Sequence, residues 1–221
     1  MVRVKICGIT NLADALAAAE AGADALGFIF VEHTPRFVRP EQVAPIVRAL
    51  PPFVTPVGVF WDHAAGHVKA VAEACGLRVL QFHGDEKPED LDGHALPVIK
   101  TVKLPPAGTV AGLPEYSTGK DLKLIRPYVG RAAAILLDSE ARWSDGERRR
   151  PVEWQLASML KVGRCPVILS GGLTPDNVAD AIAAVAPWGV DVNSGVEARP
   201  GRKDLDLVRR FVDAAKRAAP P

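Results

Sequence analysis

Two side chains able to move protons stand at the ends of apolar runs. "VRVKIC" ends on Cys7, and "AAAILLD" ends on Asp138. An ionised thiol can act as a base, and a carboxyl that keeps its proton can act as an acid, so the pair suits proton transfer at carbon and oxygen. Each also has a plainer reading, Cys7 as a small buried hydrophobe and Asp138 as the cap of the following turn. Two glycine turns offer a different chemistry. "ILSGGLTP" carries Gly171 and Gly172, and "VNSGVE" carries Ser194 and Gly195. Glycine lets backbone N–H groups close on an anion such as phosphate, although ordinary turns look alike.

Positioning these groups together requires a particular scaffold. Eight strand-like runs end near Cys7, Phe30, Phe60, His83, Val102, Asp138, Ser170 and Asn193. Helix-like segments alternate with them. "TNLADALAAAEAGA" has Thr10 or Asn11 as N-cap and Gly22 as its stop, and "TPDNVADAIAAV" has Thr174 as N-cap with Pro175 at the first helical position. Near-continuous apolar strands alternating with helices indicate a parallel sheet covered by helices. Eight such units predict one α/β domain over residues 1–221, a (β/α)₈ barrel slightly shorter than the ~250 residues typical of that fold. An open doubly wound sheet fits less well, because "CGIT" after the first strand supplies no G-x-G-x-x-G. The fifth unit is the weakest, since after Val102 only "DLKLIRPY" reads as helical.

In a barrel, strand C-termini share one bowl, and phosphate is commonly held by the loops after the seventh and eighth strands. Cys7, Asp138 and both glycine turns are therefore expected on one rim. This points to an enzyme acting on a small phosphorylated substrate.

Composition excludes other classes. Lys and Arg total 27 against 26 Asp and Glu, a net charge of +1, which gives no electrostatic footprint for nucleic acid or an anionic membrane. No run approaches the ~18 apolar residues of a membrane span, and Lys5 interrupts any signal-like N-terminus, so a soluble cytoplasmic protein is expected. Cys7, Cys75 and Cys165 form no C-x-x-C pair, and His63 and His67 have no third ligand in view. No metal site or disulfide framework is expected.

"KICGIT", "GADALGFIF", "PRFV", "VGVF", "QFHG", "ILLDS", "ILSGGLTPDNV" and "GVDVNSGVE…PGRKD" occur in an order and spacing that resemble the phosphoribosylanthranilate isomerases. The resemblance runs from Lys5 to about Phe211. It implies a (β/α)₈ barrel that performs a cofactor-free Amadori rearrangement in tryptophan biosynthesis. It further implies Asp138 as general acid, Cys7 as general base, and Arg36 of "TPRFV" as the partner of the anthranilate carboxylate. Asp191, on the eighth strand, has two readings, a hydrogen-bond partner of the sugar hydroxyls or, preferred, a brace of the barrel interior, and His83 and Gln81 are expected to be satisfied core polar groups. The protein is expected to be a monomer or homodimer.

The chain departs from the family pattern after the sixth strand. "DSEARWSDGERRRPVEW" keeps Gly146 and Trp154, places Glu153 where aspartate is usual, and lacks the glycine cluster. Arg148, Arg149 and Arg150 stand nearby, as anion contacts or as solvated charges. "FWDH" replaces the common Val-Asn-Glu after the third strand. These changes leave two alternatives open, a paralogue isomerising another phosphorylated aminosugar and a barrel that binds a phosphorylated ligand without turnover.

Overall fold

The structure, a computed structural model, describes residues 1–108, 122–139, 151–160 and 164–218. The Arg148–Arg150 stretch and Gly146 lie outside the described residues.

Eight parallel strands close into a barrel in sequence order: β1 (Arg3–Ile6), β2 (Ala25–Ile29), β3 (Thr55–Phe60), β4 (Val79–Phe82), β5 (Val98–Leu104), β6 (Ala134–Ser139), β7 (Val167–Leu169) and β8 (Gly189–Val192). The ring closes where β1 pairs with β8, with Lys5 opposite Asp191. Alternation divides the side chains between two faces. Val4, Ile6, Leu26, Phe28, Ile135, Leu137 and Val190 point outward into the main core beneath the helices. Ile99, Ala134, Leu136 and Ile168 fill the interior of the barrel, and Cys7, Ile29 and Val59 form a separate apolar patch.

Helices α1 (Leu12–Glu20), α2 (Pro40–Ala49), α3 (Ala65–Cys75), α4 (Leu122–Ile125), α5 (Trp154–Met159), α6 (Val178–Val185) and α7 (Leu205–Arg217) connect the strands among the described residues. Of the two candidate caps for α1, Asn11 serves. Its side chain accepts from the Asp14 amide at 2.9 Å, while Thr10 donates to the Gly201 carbonyl instead. α6 starts three residues later than Pro175, because the Asn177 side chain accepts from the Thr174 amide and donates to the Gly172 carbonyl, closing a separate turn.

The fourth unit departs from the eightfold pattern. Between β4 and β5 only a 3₁₀ turn forms, Pro88–Leu91. Residues 83–97 include Pro88, Gly93 at φ +77° and Pro97, which leaves little chain for a helix. A buried polar brace stands there instead. Lys100 on the outer face of β5 donates to Glu86 at 2.7 Å and to the Gly84 carbonyl at 2.6 Å, and Tyr128 donates to the Glu86 carbonyl. The fifth unit has the single helical turn α4 followed by a 3₁₀ turn over Arg126–Tyr128.

A two-stranded hairpin follows β8, with β9 (Glu197–Arg199) antiparallel to β10 (Arg202–Lys203). It is pinned to α1, because the Lys203 amide donates to the buried Asp14 carboxylate at 2.9 Å. Among the described residues no helix is long and apolar enough to cross a membrane, and no group of three or more His, Cys, Asp or Glu is placed to hold a metal ion. His63 and His67 stack on each other with ring centroids 5.1 Å apart.

Candidate active site

Close backbone approaches stitch the C-terminal rim together, and glycine permits each of them. A Cβ on Gly171 would lie 2.6 Å from the Ser139 amide nitrogen and 2.9 Å from Asp138 Oδ1, so the turn after β7 presses on the end of β6. A Cβ on Gly195 would lie 1.9 Å from the Leu173 carbonyl oxygen, which locks the turn after β8 onto the turn after β7. At Gly8 a Cβ would meet Asn193 Oδ1 at 2.5 Å and Arg36 Cδ at 3.0 Å, so the loops after β8, β1 and β2 converge. Gly171 and Gly172 take φ of +79° and +64°, a region that disfavours other residues.

Asp138 is buried at the end of β6. Its Oδ1 accepts from the Ser139 amide at 2.8 Å, and its Oδ2 lies 3.4 Å from Nε2 of His83 at the end of β4. His83 is therefore buried with both ring nitrogens partnered, Nδ1 lying 3.5 Å from Gln81 Nε2, and its other partner is the candidate acid. A lone histidine in an apolar run gave no spacing signal. What could have found it is its place at a strand end, equivalent to that of Cys7 or Asp138. Gln81 departs from the expectation of a satisfied core group, because its Nε2 donates to Thr101 at 3.2 Å while its buried Oε1 has no hydrogen-bond partner among the described residues. The Trp61 ring tilts against His83 with centroids 5.7 Å apart, and the Lys103 ammonium sits 4.1 Å from the centre of the Trp61 ring. Thus the unusual "FWDH" puts an aromatic face on the rim. Val31, His33, Thr34, Trp61 and His63 line a cavity of about 440 Å³ at this side.

Arg36 is buried and forked onto Glu197, with Nε at 2.9 Å from Oε1 and Nη2 at 2.7 Å from Oε2. Three of the five guanidinium N–H donors are left by this pairing, including the parallel pair on Nη1 and Nη2. The buried Lys203 ammonium supports the same carboxylate at 3.2 Å and also donates to the Asn193 carbonyl and side chain. The hairpin residues Glu197 and Lys203 carried no expectation, because "EARPGRKD" reads as a charged loop.

Cys7 is buried on the inner face just beyond β1. Burial pushes its thiol up from the ordinary value, and Lys5 and Lys203 pull it back only in part. Cys75 belongs to the outer core, where burial and the Glu41 charge push its thiol up to about 11. Glu153 stands at the N-cap position of α5 without a capping side-chain bond and accepts from the Gly108 amide at 3.1 Å, tying down the loop after β5.

A closed parallel barrel with thiol, carboxyl, imidazole and glycine turns on its C-terminal rim defines a (β/α)₈ enzyme. The family model for N-(5′-phosphoribosyl)anthranilate isomerase matches residues 4–214. A Geobacter sp. (strain M21) protein of that name is 46% identical over 217 residues, covering 98% of this chain and 99% of its own. The solved Thermotoga maritima phosphoribosylanthranilate isomerase superposes with a TM-score of 0.83 at 39% identity, covering 98% of this chain and 99% of that one. A further solved isomerase, in complex with reduced 1-(o-carboxyphenylamino)-1-deoxyribulose 5-phosphate, has a TM-score of 0.79 at 38% identity with the same coverage. This chain belongs to the N-(5′-phosphoribosyl)anthranilate isomerase family, aldose–ketose isomerases of tryptophan biosynthesis.

Proposed function

We propose that this chain isomerises N-(5′-phosphoribosyl)anthranilate with Asp138 as general acid and Cys7 as general base. The observation that carries the assignment is their placement at the ends of β6 and β1 on one rim, with the glycine turn after β7 seated on Asp138. Asp138 gives its proton to the ring oxygen, and the sugar opens to a protonated Schiff base. The Cys7 thiolate then takes the proton on the second sugar carbon. The C–H electron pair becomes a carbon–carbon double bond, the Schiff-base π pair moves onto nitrogen, and the enol-amine tautomerises to the ketone. His83, 3.4 Å from Asp138, is placed to share the carboxyl proton. These steps use only side chains of this chain, with no cofactor or metal.

The phosphate is assigned to the backbone amides around Gly171, Gly172, Ser194 and Gly195, in the left-handed turn at Gly171–Gly172 and the 3₁₀ turn over Ser194–Val196. The anthranilate carboxylate is assigned to the free edge of Arg36, and the aryl group to the Trp61 side of the rim. Freshly generated phosphoribosylanthranilate tests the whole reading, because its fluorescence should disappear faster with protein than without. Arg36→Lys keeps the charge but cannot hold Glu197 and a carboxylate at once. It should raise KM about 10–100-fold with a smaller change in kcat, the size of one lost charge-assisted hydrogen bond. An unchanged KM would remove Arg36 from the site.

The enzyme is assigned to the cytoplasm, where three unpaired cysteines stay reduced, and to a single domain over residues 1–221. A homodimer is the assembly we favour. A Thermotoga maritima relative is described as a dimeric isomerase. In this chain Met1, Phe53 and Trp188 are exposed, Phe53 at 95%, and precede β1, β3 and β8, strands within the half of the ring that runs β8–β1–β2–β3, on its N-terminal face. Light scattering should give twice the 23.6 kDa chain mass, falling to one chain in Phe53→Ser. A parent already at one chain mass would make the enzyme a monomer.

A further inference from the structure

The inner face of β1 carries a charge directly beneath Cys7. Val4 and Ile6 point outward into the core, so Lys5 and Cys7 share the inward face. Lys5 is 4% exposed, and its ammonium donates to Asp191 Oδ1 at 2.8 Å. The other Asp191 oxygen accepts from the Ser170 hydroxyl at 3.2 Å. Asp191 thus acts as a brace, and what it braces is a cation.

That cation lies close to the sulfur. A Cβ on Gly27 of β2 would lie 2.7 Å from Cys7 Sγ and 3.1 Å from Lys5 Nζ, so both atoms occupy the space above one glycine. Nζ and Sγ are thus at most 5.8 Å apart, and the ammonium's charge favours the thiolate. An apolar pair of similar volume would fill a barrel interior at no loss of stability, so a buried Lys–Asp pair is weak evidence for a stabilising role. Its proximity to the one cysteine on the rim suggests another.

We propose that Lys5 is a positioning residue for the isomerisation, its ammonium held by Asp191 and Ser170 so as to stabilise the Cys7 thiolate. This rests on Cys7 being the base. The charged groups around the sulfur are few. Lys5 stands on β1, Asp191 on β8 and Lys203 on β10, while β2 and β3 offer only Gly27, Ile29 and Val59. Lys203 is itself committed to Glu197 and Asn193. Burial opposes charge on Lys5, but Asp191 and the sulfur outweigh it and hold the ammonium above the ordinary lysine value. Lys5 is therefore a permanent cation at any working pH, and Cys7 is the group that titrates.

The test uses two readouts, the pH profile of kcat/KM and the ultraviolet absorbance of the thiolate after subtraction of Cys7→Ala, in which Cys75 and Cys165 cancel. Lys5→Met alone strands a buried carboxylate, so the informative variant is the double change Lys5→Met with Asp191→Asn, which removes both charges. In that variant thiolate formation and the rising limb of kcat/KM should both move up by about one to two pH units. At neutral pH kcat should fall at least about tenfold, with KM nearly constant. Asp191→Asn alone deletes an anion and leaves the cation, so both curves should move down. A double variant that keeps the parent's two curves would overturn the proposal and leave Lys5 a structural brace. If Cys7→Ala retained activity, the base assignment would fail separately, while the thiolate titration would still report on Lys5.

Discussion

Asp138→Asn should lower kcat/KM by ~10³–10⁴ while leaving the fold and inorganic phosphate binding close to those of the parent. The substitution isolates chemistry from architecture. Asparagine keeps the oxygen that accepts from the Ser139 amide at 2.8 Å, so the end of β6 and the Gly171 turn seated on it should hold their places. What is lost is the acidic proton, since an amide cannot deliver one to the sugar ring oxygen at neutral pH. The amide nitrogen then faces His83 Nε2, which can accept from it in the appropriate tautomer. The measurement is the first-order loss of substrate fluorescence, with thermal unfolding as the control for folding. A variant retaining a tenth or more of the parent rate would show that the proton comes from elsewhere. A parent that bound phosphate yet did not accelerate the loss would instead favour a binding barrel.

The scaffold of this site was legible because its cause is local and repeated. Each strand is an apolar run rich in Val, Ile and Leu, and each stops at a polar or turn residue, so the ends of all eight fall close to the expected positions. Asp138 stood out because a charge after "AAAILL" has to be solvated, paired or used. The misses have physical reasons too. The unit after β4 is too short and too punctuated by Pro and Gly for a helix, and a Lys100–Glu86 brace fills in for one, a long-range pairing with no sequence period. The β9–β10 hairpin looks like a solvated charged loop because its partners, Arg36, Asn193 and Asp14, lie elsewhere in the chain. His83 and Lys5 share a subtler cause. Each is a polar residue within or just after an apolar run, and only the closed barrel shows that alternation turns it inward beside a reactive group.

Gly195→Ala should be the most damaging single-carbon change on the rim, raising KM by ~10² or more and weakening inorganic phosphate binding in parallel. The added Cβ would sit 1.9 Å from the Leu173 carbonyl oxygen and 3.0 Å from its carbon. Both are backbone atoms, so no side chain can swing aside, and the turns after β7 and β8 must separate. Those are the two turns assigned to phosphate, and a separation of about 1 Å is enough to misalign amides aimed at one anion. Overpacking should also cost about 1–3 kcal/mol of stability. Gly66→Ala controls for the substitution itself. Gly66 lies in α3, where an added Cβ would meet nothing within 4 Å, so its replacement should stabilise by about 0.5 kcal/mol and leave KM alone. Were Gly195→Ala to lose stability but keep KM and phosphate affinity, the phosphate would be held somewhere other than the Gly171–Gly195 rim. Asp138 would then need a substrate oriented from the Arg36 side alone.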